Sequence, residues 1–202
     1  MTQSARLSWV LGLNLIVVVA LIIVGHSTDS LGIIAIGGDY IGDSLAIALG
    51  LFAIWIAKKP AGFQKATIFV ALFNAVSLLL VTIAIVTEGL RRLIGHTPNV
   101  AGLEVLVAGL GAGVVMSLGV LILRSETDSM DLHMRSVLLD TALDALSAFV
   151  VALGGGVIYF VGGFYWLDDA LAIVVGLFVG YGALTLLRDV VISLIHGRAA
   201  AQ

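Results

Sequence analysis

Six times along this chain an apolar run recurs that is long enough to cross the roughly 30 Å hydrocarbon core of a bilayer, a distance that takes about 20 helical residues. The runs cover residues 9–25, 31–57, 66–87, 100–123, 134–159 and 166–187, joined by short connections. In hydrocarbon every backbone polar group must be bonded internally, so runs of this kind have to be helices. Composition closes the other classes: 60% of the 202 residues are hydrophobic and 11% are charged, where a soluble domain carries roughly 25% charged residues. The sequence therefore predicts an all-α polytopic membrane protein. It is read as a single six-helix transmembrane domain over residues 1–202, with no soluble C-terminal domain. The first run has no small-residue cleavage site after it and is read as a retained helix, not a signal peptide.

Charge sets the orientation. Of the 10 Lys and Arg residues, Arg6, Lys58, Lys59, Lys65, Arg124, Arg135, Arg188 and Arg198 fall on the side that carries both termini, and only Arg91 and Arg92 on the other. The positive-inside rule then places both termini in the cytoplasm. Trp9, Trp55 and Trp166 sit near the ends of their passes, where indole rings favour the membrane interface. A formal net charge of -3 provides no basic field for nucleic acid. The absence of cysteine excludes disulfides, iron–sulfur clusters and thiolate metal sites, so any bound metal must use oxygen or imidazole ligands. No nucleophile–base pair or nucleotide motif marks an enzyme or a prosthetic group. The run Gly109-Leu110-Gly111-Ala112-Gly113 lies inside a pass with no strand before it, so it fails the context test for a dinucleotide loop. Gly109 with Gly113, and Gly176 with Gly180, are expected to form small-residue packing faces.

Most acidic residues, among them Asp29, Glu104, Asp168, Asp169 and Asp189, fall in loops or at helix ends and need no functional reading. Four do not. Asp39 and Asp43 lie inside the second pass, Asp140 and Asp144 inside the fifth, and each pair has the form Asp-x-x-x-Asp. At 3.6 residues per turn the two carboxylates of a pair stand about 40° apart on one helix face. Two such helices facing each other supply a four-ligand site. One Asp at the centre of a membrane helix costs about 2.5–3.5 kcal/mol. These two passes contain no Lys or Arg near the pairs to offset it. Four adjacent anions repel, so they must share several protons as a coupled set, and a divalent cation displaces those protons. The pattern invites exchange of metal for protons. The plainer alternative is that each Asp bonds a neighbouring helix or lines a water pocket, which two matched pairs make the weaker reading.

These residues carry a resemblance. Ser30-Leu31-Gly32 through Asp39-Tyr40-Ile41-Gly42-Asp43-Ser44-Leu45-Ala46 resembles the second pass of the cation diffusion facilitator family, and residues 134–147 around Asp140 and Asp144 resemble its fifth. Asn74, Glu88-Gly89-Leu90-Arg91-Arg92-Leu93 and Trp166-Leu167-Asp168 add to the likeness, which runs through all six passes in order. The resemblance implies a dimeric, proton-coupled exporter of divalent transition metals, chiefly zinc. The ion would be held tetrahedrally between the second and fifth helices by Asp39, Asp43, Asp140 and Asp144.

Two departures bear on this expectation. Zinc members usually carry His where this chain has Asp140, and an all-carboxylate set is harder, suiting Mn2+ and similar ions better. Zn2+ still accepts carboxylate oxygens. The family's usual cytoplasmic C-terminal domain is not expected after Leu194, so a homodimer would form through the membrane helices. A second family site in the loop between the second and third passes is expected to be missing, because residues 60–65 hold neither His nor Asp.

Several features stay open between two readings. The acidic segment 125–133 is a solvated loop or a funnel that concentrates cations at the inner mouth. His133, seven residues before Asp140, is an interfacial His or an accessory point on the ion or proton path. His26 and Asp29 are a surface pair or meet the ion on exit. The expected function is proton-coupled efflux of Zn2+ or Cd2+ across the membrane by alternating access. The alternatives are the same mechanism with Mn2+, Fe2+ or Co2+, a metal-independent cation exporter or proton channel, and a non-transporting scaffold or sensor. The expected location is a bacterial inner membrane, with the lipid bilayer, divalent ions and a second copy of the chain as partners and no nucleic acid.

Overall fold

A computed structural model of the chain describes residues 3–56, 63–124 and 132–199. They form six helices: α1 (Gln3–Ser27), α2 (Leu31–Ile56), α3 (Phe63–Ile94), α4 (Gly102–Arg124), α5 (Leu132–Val161) and α6 (Trp166–Ala199). All six are long and apolar enough to span a membrane, and no strand occurs among the described residues. Two helices outrun their apolar stretches. The third pass, expected to end at residue 87, continues to Ile94. Its extension stays helical because Glu88 pairs with Arg91 and Arg92, at 3.1 Å each, one turn further on. α6 likewise runs beyond residue 187 to Ala199.

Helices α1, α2, α5 and α4 pack as a closed four-membered ring, and α3 pairs with α6 alongside α2. The closest approach in the ring is α4 on α5, and glycine makes it possible. A Cβ on Gly109 would lie 2.8 Å from Ala152 Cβ and 2.9 Å from Ala148 O, and one on Gly155 would lie 2.6 Å from Leu106 N. Gly113 meets the Phe149 ring, and Gly180 of α6 meets Thr82 of α3 in the same way, so the expected small-residue faces are present. Residues with apolar side chains that point away from the bundle, such as Ile16, Leu80, Leu121, Phe160 and Val174, are more than half exposed, which suits contact with lipid.

The ring has two apolar clusters. The larger includes Leu21, Ile33, Ile36, Tyr40, Val105, Met116, Ala148 and Val151. The smaller, made of Leu7, Val10, Ile47 and Leu123, lies at the end that carries the termini. A polar layer separates them.

At the opposite end Asp168 and Asp169, at the start of α6 as the sequence places them, are 2% and 0% exposed. The Asp168 carboxylate accepts hydrogen bonds from Ser30 Oγ (2.6 Å), Leu31 N (2.7 Å) and Gly32 N (3.2 Å). It thereby satisfies free amides in the first turn of α2, where the helix dipole also favours negative charge. Asp169 lies 3.7 Å from Arg92 Nη1. The tight turn through Gly162 and Gly163, both at φ 75°, sets the first turn of α6 beside α2. That is a tertiary event with no local signature. Asp29, Glu104 and Asp189 are exposed, and so is His26.

Candidate metal site

Asp39 and Asp43 stand one turn apart on α2, and Asp144 faces them from α5. One carboxylate oxygen from each of the three can be chosen so that all lie within 4.8 Å of one another. Asp144 is 5% exposed, and Asp39 and Asp43 are half-buried. Asp140, the fourth residue expected here, is one turn nearer the termini and exposed. It lines the same cavity as Asp43 and Asp144 but is not part of the close group of three.

That cavity is lined by Val10 and Asn14 of α1, Asp43, Ala46 and Ile47 of α2, Met116 of α4, and Asp140, Thr141 and Asp144 of α5. Its volume of about 30 Å³ exceeds the roughly 10–15 Å³ that a single water requires. The exposed lining residues, Ala46 and Asp140, both lie on the terminus side of Asp43 and Asp144. On the other side Ile36, Tyr40, Ala148 and Val151 are at most 1% exposed. The exposed part of the cavity's lining therefore lies toward the end of the bundle where the chain begins and ends, beside the apolar cluster of Leu7, Val10, Ile47 and Leu123.

A small hydrogen-bond lattice holds the two acidic helices in register. Tyr40, between Asp39 and Asp43 and fully buried, donates its phenol to the Asp144 backbone carbonyl at 2.9 Å. Its own carbonyl accepts from Ser44 Oγ at 2.8 Å and from Asn14 Nδ2 at 3.3 Å. Asn74 of α3 donates to Gly42 O at 3.4 Å. The positions of the carboxylates thus depend on contacts from α1, α3 and α5 together.

Among the described residues no Lys, Arg or His lines the cavity. Buried carboxylates this close cannot all carry charge without a compensating partner, and a divalent cation or protons are what the geometry admits. Oxygen donors on converging helices are the ligand chemistry of hard and borderline divalent ions. Sequence reasoning missed Asn14 and the bridging role of Tyr40. The available signal was an amide side chain inside an otherwise apolar pass, which is rare enough to single out. His133 falls in the first turn of α5, but its side chain lies outside the described residues. So do the segment 125–131 and the loop 57–62, and with them the readings made there.

The chain is similar to known proteins along most of its length. Residues 8–195 match the family model described as the cation efflux transmembrane domain. The chain is 31% identical over 167 residues to the metal cation efflux system protein CzcD of Cupriavidus metallidurans, covering 80% of this chain and 52% of that protein. It is 28% identical over 205 residues to the zinc transporter ZitB of Escherichia coli, covering 96% of this chain and 64% of that one. It is 24% identical over 202 residues to the proton-coupled zinc antiporter SLC30A2 of Mus musculus, covering 91% of this chain and 54% of that one. The chain thus spans between about half and two thirds of the length of these relatives.

Proposed function

The chain belongs to the cation efflux family of membrane proteins, and on that premise we propose that it exports divalent transition-metal cations, Zn2+ or Cd2+ first, in exchange for protons. The observation that carries this reading is the close group formed by Asp39, Asp43 and Asp144, of which Asp43 and Asp144 line a cavity with no basic residue among its described lining. Asp140, at the cavity's exposed side, is proposed as the fourth ligand, the one an entering ion meets first. The names of the relatives, which refer to metal cations for CzcD, to zinc for ZitB and SLC30A2, and to cadmium, cobalt and zinc for an antiporter of Bacillus subtilis, support the cargo class.

The proposed cycle uses this chain's residues only. Facing the cytoplasm, the carboxylates are deprotonated and bind the ion through the terminus-side opening. When the helices rock to the other side, protons take the oxygens and the ion leaves. The distribution of Lys and Arg supports a cytoplasmic position for that opening, because eight of the 10 lie at the same end. An integral location in a bacterial inner membrane and a homodimer formed through the transmembrane helices belong to the same proposal. The all-oxygen donor set favours a second reading with Mn2+, Fe2+ or Co2+ as cargo.

The test is metal flux into proteoliposomes under an imposed pH gradient. Zn2+ uptake into acidic-lumen vesicles should need the gradient and should vanish in Asp43→Ala. Transport by that variant at the parent rate, or flux indifferent to the gradient, overturns the proposal.

A further inference from the structure

Asn14 is the polar residue of the cavity that no carboxylate pattern announces. It is 2% exposed in α1. Its Nδ2 donates to the backbone carbonyl of Tyr40 at 3.3 Å. Since only the nitrogen end of an amide can donate to a carbonyl, that bond fixes which end is which. The oxygen end, Oδ1, is buried and has no hydrogen-bond partner among the described residues. In the same cavity Asp43 Oδ2 is also buried without a partner. Two acceptors left unpaired in one small polar cavity are satisfied together by one shared electropositive occupant.

We propose that Asn14 Oδ1 is an additional, uncharged ligand of the cation carried at the aspartate site; the inference rests on the function proposed above. It brings a third helix, α1, to the ion alongside α2 and α5. It also changes the ions the site accepts. A shell of carboxylate oxygens plus a neutral carbonyl oxygen exceeds the four positions that tetrahedral Zn2+ takes and favours ions that prefer larger oxygen shells, such as Mn2+. A neutral ligand does this without adding to the repulsion among the acidic groups. Tyr40 is the positioning residue: its carbonyl holds the amide nitrogen and leaves the oxygen without a partner in a side chain that lines the cavity.

Titration of the full chain in detergent with Mn2+ alone and with Zn2+ alone tests this, together with thermal unfolding of the metal-free protein. Asn14→Ala should weaken Mn2+ binding about tenfold and Zn2+ binding by much less, so that the Mn2+/Zn2+ affinity ratio drops. Asn14→Asp keeps an oxygen at the position while losing the amide donor to Tyr40, and it should retain Mn2+ binding. If Asn14 only joined α1 to α2, both variants would lower the unfolding temperature and leave the affinity ratio unchanged, which overturns the inference. Unchanged affinities in both variants, with binding still lost in Asp43→Asn and Asp144→Asn, also overturn it while leaving the aspartate site standing. If those two Asp variants bind both metals normally, the site itself is misassigned.

Discussion

The Tyr40 phenol and the Asp144 backbone carbonyl meet at 2.9 Å in a buried part of the bundle. This bond crosses from one acidic helix to the other at the level of the acidic groups. It fixes the axial position of Asp144 against Asp39 and Asp43, which flank Tyr40 on the facing helix. Tyr40→Phe keeps the ring and removes the bond. It should cost about 1 kcal/mol of stability, read as a lower unfolding temperature in detergent, and should weaken metal binding without abolishing it.

The fourth aspartate should behave differently from the other three. Asp144 is buried within the close group, whereas Asp140 is exposed at the cavity's edge. Asp144→Asn is expected to reduce metal affinity by at least about a hundredfold, and Asp140→Asn by about tenfold. Calorimetric titration of the two variants with Zn2+ checks the order. Equal losses would place Asp140 at the ion from the outset.

Metal binding should weaken as the pH falls. Ligands must be deprotonated to coordinate, so each proton displaced by the ion lowers the apparent affinity by about tenfold for each unit of acidification below the titration range. The sign is fixed: acid favours the protonated, metal-free site. Measuring Zn2+ affinity across a series of buffers gives the slope, and the slope gives the number of protons exchanged. A pH-independent affinity would exclude coupling through these carboxylates.

The α4–α5 contact gives a sharp contrast between neighbouring glycines. Gly109→Ala would bring its Cβ to 2.9 Å from the backbone of α5, while at Gly111 nothing lies within 4 Å. Gly109→Ala should destabilise the bundle. Gly111→Ala should be neutral or stabilising by up to about 1 kcal/mol through helix propensity. Unfolding of the two variants in the same detergent decides it.

Much of this was legible in the sequence, because the bilayer simplifies the problem. Six apolar runs must be six helices when no water is available to their backbones, and the residues that break the rule stand out. Asp39, Asp43 and Asp144 were visible because charge in hydrocarbon has few innocent explanations, and the i, i+4 spacing put each pair on one face. What the sequence did not reveal depends on how helices meet. Asp168 looks like any acidic residue in a first turn until α6 is set beside α2, where its carboxylate meets Ser30, Leu31 and Gly32. Asn14 is a lone amide in α1 until the ring closes and α1 faces the acidic layer. Asp140 and Asp144 are alike in one dimension, and only the packing makes one exposed and the other buried.

The Asp168 carboxylate has one mechanical implication. Three hydrogen bonds onto a single side chain pin the beginning of α2 to the beginning of α6, at the end of the molecule remote from the cavity's exposed lining. Two rods fastened at one tip can swing, but they cannot slide lengthwise past each other. Any rearrangement that exposes the aspartates to the opposite face must therefore pivot near Ser30, or first release that pin.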